Sequence, residues 1–352
     1  MDFLYQYLGD SMNNILDYKF EELSTEPCMK DEKKFRSKQV YEWLHKKLVS
    51  KFDYMTNIPK DLIFKLKNRY YIGGISCSIH RVSKIDETEK FLFTLHDNNQ
   101  IESVLMKYKH GNTVCISTQV GCRMGCKFCA STLDGLARNL TPGEMLSQVY
   151  EIIKMGNKVS NIVLMGQGEP LDNYDNVLKF LHMITDDKGL NISRRNVTIS
   201  TCGIVPNIYK LADDNVTSTL AISLHAPYDS LRQQMMPIGY RYSIDEIIKS
   251  VDYYIKKTSR RVSFEYALVS GVNDSMECAE KLVNLLRGKL CHINLIPVNE
   301  IKERDFNKPN EKNIKQFFKY IEKNNINVTI RKEMGSDISG ACGQLRRSVK
   351  EE

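Results

Sequence analysis

The chain has 352 residues, of which 50 are Lys or Arg and 43 are Asp or Glu, giving a formal net charge of +7. Charged residues make up 26% and hydrophobic residues 42% of the sequence, which is typical of a globular protein and excludes a disordered, collagen-like or disulfide-scaffold chain. No stretch approaches the roughly 18 consecutive apolar residues that a membrane span needs, and Asp2 stands where a signal peptide carries Lys or Arg. We therefore expect a cytoplasmic protein with no membrane partner, whose ten cysteines are reduced and in part available for metal binding.

The first predicted unit, residues 1–72, is a small helical domain with an uneven charge. Residues 1–29 carry a net charge of −5, whereas residues 30–70 contain twelve basic and five acidic residues and carry +7. Residues 33–52 predict an amphipathic helix whose apolar face is formed by Phe35, Val40, Trp43, Leu44 and Leu48. Its Lys and Arg residues fit either a solvated surface or a face that binds RNA phosphates, and this segment alone does not decide between them.

Residues 73–110 predict a β-rich connector, with strand-like alternation and a turn at residues 97–99. From Thr113 onward, apolar runs alternate with helical patterns, and the runs are 113–121, 161–169, 196–203, 218–226, 261–271 and 292–299. Capping boxes at Thr141/Glu144 and Ser243/Glu246 mark two helix starts. Six strand–helix alternations predict a parallel α/β structure for residues 111–352. Six units are too few for a closed eight-fold barrel, so a partial (β/α)6 barrel is our first interpretation and a doubly wound open sheet our second.

In such a fold the chemistry lies in loops at the carboxyl ends of the strands. The first strand leads into a loop with three cysteines, Cys122, Cys126 and Cys129, spaced C-x3-C-x2-C. Structural zinc normally requires four protein ligands, and no fourth lies nearby. An iron–sulfur cluster can be held by three cysteines, which leaves one iron open to chelate and reduce a small molecule. We therefore favour a redox cluster over zinc, and zinc over coincidence, with Phe128 as a hydrophobic screen.

This loop resembles the signature of the radical S-adenosylmethionine (SAM) enzymes, in which three cysteines hold a [4Fe–4S] cluster whose open iron binds SAM. The surrounding motifs resemble the adenine C2-methyltransferases of ribosomal and transfer RNA (RlmN type) over residues 12–347: VCISTQVGCRMGCKFCAST, MGQGEPLDN, TISTCGIVP, SLHAP, NLIPVN and GSDISGACGQLRR. The resemblance implies a radical-SAM barrel behind an N-terminal accessory domain. It also indicates that residues 1–11 are an extension and that Met12 is a candidate initiator.

The resemblance assigns roles to residues that would otherwise be unremarkable. Gly168 and Glu169 are implied to form a turn that binds the SAM amino group, and Gln167 before them is expected to be tolerated because backbone atoms do the binding. Glu102 would by itself be an exposed acid, but the resemblance implies an active-site proton acceptor. The rest of the SAM pocket is implied to be lined by Ser200, Ser223, Leu224, His225 and Asn299.

Two further cysteines are implied to carry the mechanism. Cys115 lies in the middle of a predicted strand, and Cys342 lies in a Gly- and Ser-rich loop that suits a residue reaching into a pocket. Carbon 2 of adenine is not nucleophilic, so the methyl group must first be taken up by a thiolate and then delivered as a radical. In the family, the carrier matches Cys342 and the resolving thiol matches Cys115, with a disulfide formed between them and two SAM molecules used per turnover. The remaining cysteines are interpreted as structural, namely Cys28, Cys77, Cys202, Cys278 and Cys291.

The implied substrates are adenine 2503 of 23S ribosomal RNA and adenine 37 of certain transfer RNAs. Residues 30–69 would grip the RNA backbone, while the active-site mouth would be ringed by Arg331, Lys332, Arg346 and Arg347. We also expect an electron donor such as flavodoxin or ferredoxin, and a monomeric chain.

Three alternatives stay open at the level of sequence. The first is the antibiotic-resistance relative that methylates C8 of the same ribosomal adenine, although Pro170 after Gly168-Glu169 favours the C2 enzyme. The second is another radical SAM reaction, such as activation of a partner protein, against which Cys342 and the basic N-terminal unit both weigh. The third, from a different class, is a non-catalytic RNA-binding protein stabilised by a metal.

Overall fold

The computed structural model describes residues 12–299, 301 and 303–345, so the predicted extension at residues 1–11 and the predicted RNA contacts Arg346 and Arg347 lie outside the described residues. The N-terminal unit contains two short strands and three helices: β1 (Asn13–Asn14), α1 (Phe20–Thr25), α2 (Phe35–His45), α3 (Lys60–Lys67) and β2 (Tyr70–Tyr71). Strand β1 pairs in parallel with β2, which closes the unit on itself.

Helix α2 corrects the predicted apolar face of the basic segment. Val40 and Leu44 are buried as predicted, but Phe35 is 48% exposed because it is the first residue of the helix, where its ring stacks under the Arg36 guanidinium instead. Leu48 is buried beyond the end of the helix, with a φ of +56°, so the chain has already turned away at that point. His45 is fully buried with Nδ1 2.8 Å from the hydroxyl of Tyr150, which joins this unit to the rest of the protein.

The remaining strands and helices follow in chain order. The strands are β3 (Ile75–Val82), β4 (Glu89–Leu95), β5 (Gln100–Met106), β6 (Thr113–Cys115), β7 (Gln119–Gly121), β8 (Leu136–Asn139), β9 (Asn161–Leu164), β10 (Val197–Thr201), β11 (Thr219–Ser223), β12 (Val262–Leu268), β13 (Cys291–Pro297) and β14 (Val328–Ile330). The helices are α4 (Pro142–Lys154), α5 (Tyr174–Ile184), α6 (Val205–Asp213), α7 (Asp229–Met235), α8 (Ile244–Thr258), α9 (Met276–Leu286) and α10 (Glu311–Lys323).

In the described part of the chain, ten strands form one sheet in the order β14-β13-β12-β11-β10-β9-β6-β5-β4-β3. Strands β6 and β9 to β14 are parallel, and β5, β4 and β3 continue the sheet in antiparallel pairing. The parallel strands follow one another without the reversal of order that defines a doubly wound sheet. The partial barrel is therefore confirmed and the doubly wound alternative is rejected, while β14 is a parallel strand that the sequence analysis missed.

The predicted strand 113–121 is wrong as a single element. Strand β6 ends at Cys115, and the chain then leaves the sheet so that β7 pairs with β8 in a separate antiparallel hairpin. Cys115 consequently lies at the carboxyl end of a strand and not in its middle. The three-cysteine loop is held between the two arms of the hairpin, which fixes both of its ends.

Both predicted capping boxes are present at the starts of barrel helices. At the start of α4, Thr141 Oγ1 accepts a hydrogen bond from the Glu144 amide, and the Glu144 carboxylate accepts one from the Thr141 amide. Ser243 and Glu246 do the same for α8. Among residues 12–299, 301 and 303–345, no helix is both long and apolar enough to cross a membrane.

Candidate active site

The three-cysteine loop is shaped by glycine and by backbone hydrogen bonds. Gly121 ends β7 with a φ of +75°, and a Cβ there would collide with the carbonyl oxygen of Gly135 on the facing arm. Cys122 N–H donates to that same oxygen at 3.0 Å. Cys129 N–H donates to the Cys126 carbonyl oxygen at 3.2 Å, so the loop folds back on itself between the second and third cysteine.

All three thiols line one cavity of about 140 Å³. Burial raises the pKa of Cys122 to about 12 and the pKa of Cys126 well above its usual range, with repulsion from neighbouring thiols as a further cause. Such a set of soft thiol ligands fits iron and sulfide, because a bound cation stabilises the thiolates that burial disfavours. Within the described residues, no three Cys, His, Asp or Glu side chains converge on one ion position. A cluster takes each thiol at a separate iron, so it does not need the three sulfur atoms to converge on one point.

Most of the predicted SAM-pocket residues line the same cavity. The structure brings together around the cluster cysteines Gly168, Glu169, Ser200, Ser223, His225 and Asn299. Leu224 is the exception, because its fully buried side chain packs in the hydrophobic core and is not part of the cavity lining. The other members lie at or just after the carboxyl ends of β9, β10, β11 and β13, as expected for the carboxyl edge of a parallel sheet.

The turn at Gly168 and Glu169 is fixed by hydrogen bonds between the Glu169 side chain and the backbone. Both oxygens of the Glu169 carboxylate accept backbone N–H groups, Oε1 from Leu171 at 3.0 Å and Oε2 from Cys202 at 2.7 Å. Burial raises the pKa of Glu169 and these hydrogen bonds lower it, with burial prevailing. Gln167 is fully buried with its carbonyl oxygen accepting from the Thr118 and Gln119 amides, so its backbone does the binding within the protein.

His225 is held in place by its neighbours. Its φ is +58°, and its Nδ1 accepts a hydrogen bond from the Ala267 amide at 2.8 Å. Burial lowers the pKa of His225 to about 3, so the ring is neutral at physiological pH. The Phe128 ring packs edge-on against it with centroids 4.6 Å apart, which places the predicted hydrophobic screen at the cavity wall.

A second cavity of about 340 Å³ adjoins the first and is lined by Cys115 and Cys342, the two cysteines predicted to carry the mechanism. Cys342 lines both cavities, while Cys115 lines only the second. Cys115 is buried and Cys342 is exposed, and all ten cysteines are free thiols, so the predicted disulfide is not formed in this structure. Asn299 Nδ2 donates to the Cys342 carbonyl oxygen at 3.0 Å, and the Gly343 carbonyl oxygen accepts from the Ala130 amide at 2.7 Å. The Cys342 loop is thereby attached to the three-cysteine loop.

The surroundings of Glu102 differ from both predictions made for it, namely an exposed acid and an acid in the active site. It is fully buried, not exposed, and it lines neither of the two cavities. Its side chain lies on the same face of β5 as Val104 and Met106, which do line the second cavity next to Cys115. Lys90 Nζ lies 2.6 Å from Glu102 Oε1, so the carboxylate belongs to a buried ion pair.

Among the residues that line the cavities, sequence analysis missed Glu265, took Cys202 as only structural although it lines the first cavity, and misplaced Arg331. Glu265 is a buried carboxylate at the wall of the first cavity, where burial raises its pKa. Arg331 was expected at the mouth, but it is half-buried and lines both cavities. Burial opposes the guanidinium charge, but the nearby Cys342 and Glu265 raise its pKa. A single inward-facing acid in a strand has no distinguishing pattern, and Arg331 follows β14, a strand that the sequence analysis did not detect.

The basic segment of the N-terminal unit keeps most of its charge at the surface. Lys33, Lys34 and Lys38 are exposed on and before α2. Arg36 is half-buried and donates to the Asn57 carbonyl oxygen at 2.9 Å. Lys38 has only a long contact of 3.9 Å with Glu42, which contributes little at such an exposed position. The surface is therefore available to an anionic partner.

The barrel, the three-thiol cavity and the adjoining sheet define a radical SAM enzyme, and residues 116–286 match the Radical SAM superfamily. Residues 13–72 match the ribosomal RNA large subunit methyltransferase N-terminal domain. The chain is 57% identical over 338 residues to a "Probable dual-specificity RNA methyltransferase RlmN" of Clostridium botulinum (strain Okra / Type B1), covering 96% of this chain and 99% of that protein. It is 56% identical over 342 residues to a protein of the same name from Lachnospira eligens, covering 97% of this chain and 98% of that protein.

A crystal structure of a radical SAM methyltransferase from Sphaerobacter thermophilus superposes with a TM-score of 0.91 at 40% identity, covering 95% of this chain and 99% of that chain. The chain therefore belongs to the RlmN family of radical SAM methyltransferases. The resemblance inferred from the motifs is confirmed, and membership of the superfamily implies SAM and a [4Fe–4S] cluster.

Proposed function

We propose that this protein methylates carbon 2 of adenine in RNA, at adenine 2503 of 23S ribosomal RNA and adenine 37 of transfer RNAs. The observation that carries the proposal is the position of Cys342, which lines both the cavity of the three cluster cysteines and the cavity that contains Cys115. A group carried on the Cys342 sulfur can therefore face both the cofactor side and the substrate side. The names of the relatives support RNA as the substrate.

The cluster would be held by Cys122, Cys126 and Cys129, with Gly168, Glu169, Ser200, Ser223, His225 and Asn299 around SAM. When bound, SAM would supply the methyl group and, from a second molecule cleaved reductively, the radical that abstracts hydrogen. Cys342 takes the methyl group on its sulfur and, after losing hydrogen from it, bonds through that carbon to C2 of adenine. Glu102 would accept the C2 proton. Cys115 would then lose its proton and attack the Cys342 sulfur, so that the S–S bond forms as the S–CH2 bond breaks. The unpaired electron of the adduct would return to the redox centre, and the released CH2 carbon would take up a proton to become the methyl group.

The arrangement of the chain suits this order of events. Exposure of Cys342 on a Gly-flanked loop lets it approach a ligand, while burial of Cys115 keeps that thiol away from solvent. The basic surface at residues 30–69 would bind RNA backbone, with Lys332 exposed at the rim of the second cavity. The division into residues 1–72, 73–110 and 111–352, a monomeric state, a flavodoxin or ferredoxin donor, and a cytoplasmic location are part of the same proposal.

The test compares the two thiols in the reconstituted protein with SAM, a reductant and radiolabelled RNA. Wild type should yield 2-methyladenosine. Cys342→Ala should yield neither product nor adduct because it has nowhere to store the methyl group. Cys115→Ala should accumulate protein joined to RNA through Cys342, visible as a shifted band on a denaturing gel and mapped by peptide mass spectrometry.

Cys291→Ala is the matched control, because Cys291 is buried but lines neither cavity. It should behave as wild type. If 8-methyladenosine is the main product, the resistance-type alternative replaces our proposal. If all three variants give product and no shifted band, the methyl group travels by a route that uses neither thiol.

A further inference from the structure

Arg232, at the centre of α7, is a fully buried cation bonded to neutral groups. Its side chain is 0% exposed, and a guanidinium keeps its charge in proteins. Nη2 donates to the Cys202 carbonyl oxygen at 2.5 Å, and Nη1 donates to the Tyr242 carbonyl oxygen at 3.5 Å. Among the described residues, its Nε has no hydrogen-bond partner. Two carbonyl oxygens do not neutralise a positive charge, so the position calls for an anion nearby.

The acidic groups that act on Arg232 belong mainly to the candidate active site. Burial lowers the pKa of Arg232, and the thiols of Cys202 and Cys126 oppose this effect more than Asp229 does. The Asp229 carboxylate is half-buried and accepts from the Ile244 amide at 2.7 Å. Cys126 becomes an anion when it binds iron, because metal binding releases the thiol proton. The charge of Arg232 is therefore matched by the three-cysteine loop in its iron-bound form.

Arg232 is fixed relative to that loop by the backbone. Cys202, whose carbonyl oxygen accepts from Arg232, lines the same cavity as Cys126. At the end of α7, the Met235 carbonyl oxygen accepts from the Lys127 amide, inside the three-cysteine loop, at 3.0 Å. The helix that carries the cation and the loop that carries the thiols are thus joined directly.

The charge of Arg232 also acts on the wall of the cavity. Burial, followed by repulsion from Arg232, lowers the pKa of His225 to about 3, and His225 lines the cavity of the cluster cysteines. A [4Fe–4S] cluster held by three thiolates is an anion, and its net charge is one of the factors that set its reduction potential. Reduction adds a further negative charge, which a buried cation nearby stabilises.

We propose that Arg232 stabilises the reduced form of the cluster and so raises its reduction potential. This inference rests on the cluster that the proposed function requires. In the step concerned, one electron passes from a flavodoxin- or ferredoxin-type donor to the iron–sulfur centre, and Arg232 keeps its protons and its charge. Arg232 thereby sets the fraction of the protein that is ready to cleave SAM at a given potential of the donor.

The experiment titrates the reconstituted protein with dithionite and redox mediators, without RNA or SAM, and follows the reduced cluster by electron paramagnetic resonance. Arg232→Gln removes the charge but keeps a donor for the carbonyl groups. At a fixed potential it should lower the ratio of reduced to oxidised cluster by about tenfold or more, because a buried charge is weakly screened. Tenfold corresponds to about 59 mV for a one-electron couple. Arg232→Lys, which keeps the charge, should stay close to wild type.

Arg241→Gln is the matched control, because it removes the same charge from an exposed position beside the same loop. Arg241 lines a surface cleft together with Met124 of the three-cysteine loop, and water screens its charge. This variant should leave the ratio of reduced to oxidised cluster unchanged. A shift as large as that of Arg232→Gln would mean that burial of the charge is irrelevant, and the inference would be wrong.

Thermal unfolding of the full chain before iron is added distinguishes this role from a purely structural one. Arg232→Gln should then unfold no earlier than Arg232→Lys, because the cation has no iron-bound thiolates to stabilise. The inference is overturned if Arg232→Gln unfolds earlier than Arg232→Lys, if neither variant folds, or if Arg232→Gln keeps the wild-type ratio once it holds iron. In each case Arg232 only clamps the two carbonyl groups.

Failure of the proposed function gives a different result. A wild-type protein that takes up no iron would overturn the cluster and this inference with it. A wild-type protein that holds the cluster and shows the expected shift on Arg232→Gln, but forms no 2-methyladenosine, would overturn the proposed function alone.

Discussion

Replacing Gly168 with Ala should damage the cavity beside the cluster cysteines more than it damages the fold. A Cβ added to Gly168 would lie 2.5 Å from the Cβ of Gln119 and 2.8 Å from its backbone nitrogen. Carbon atoms in contact normally lie about 3.5–4.0 Å apart, so the turn must move away from β7 by about 1 Å. Gly168 and Glu169 both line the cavity, and a misplacement of about 1 Å can cost about 100-fold in rate.

Gly156→Ala separates this clash from backbone strain. Gly156 has a φ of +92°, close to the +101° of Gly168, but no heavy atom lies within 4 Å of a Cβ built there. Both variants should lose about 1–2 kcal/mol of unfolding free energy, because an L-residue disfavours a positive φ. Only Gly168→Ala has to displace the turn as well.

The assay is cleavage of SAM to 5′-deoxyadenosine by the chemically reduced, reconstituted protein, with thermal unfolding measured in parallel. We expect cleavage by Gly168→Ala to fall about 100-fold and cleavage by Gly156→Ala to stay within a few-fold of wild type. Equal cleavage rates in the two variants would refute the reasoning, because the contact with Gln119 would then have no effect on the site.

Two other changes probe the cluster and the basic surface. Cys126→Ala should lose bound iron and SAM cleavage, since a cluster with an open iron cannot spare one of three ligands; Cys291→Ala should keep both, and iron analysis decides. The basic cluster consists of Lys33, Lys34, Arg36 and Lys38. Changing all four to Ala should weaken RNA binding and flatten its salt dependence, while SAM cleavage in the absence of RNA should change little. The control changes four exposed lysines on barrel helices to Ala, namely Lys249, Lys256, Lys281 and Lys319. If both sets lose the same RNA affinity, the basic segment is an ordinary solvated surface.

The sequence predicted the barrel because parallel strands buried on both sides are continuous apolar runs separated by capped helices. It failed where local pattern does not report pairing. Residues 113–121 form one apolar run, yet only β6 joins the sheet, because β7 finds its partner in β8. Strand β14 was missed since it has three residues, two of them exposed, at the edge of the sheet.

The candidate site shows the same contrast between what the sequence pattern can and cannot predict. Most residues predicted around SAM do line one cavity, because parallel strands bring their carboxyl ends together whatever their separation along the chain. Leu224 differs from its neighbours Ser223 and His225, which line the cavity, because its own side chain packs in the core. The ion pair of Glu102 with Lys90 could not be seen, since it depends on the register between β4 and β5 and on where the C-terminal loop packs.

The structure adds most to the proposed chemistry through the different surroundings of the Cys115 and Cys342 thiols. Burial, followed by the nearby Cys342, raises the pKa of Cys115 to about 12. At neutral pH only about one Cys115 in 10⁵ is then a thiolate, and the thiolate is the form that attacks a methyl donor. Cys115 therefore does not compete for the first methyl group, although it lies in the same cavity as Cys342. In the proposed reaction its sulfur would be needed only once Cys342 is bonded to RNA, when loss of its proton is coupled to disulfide formation, so burial favours the proposed order of the two thiols.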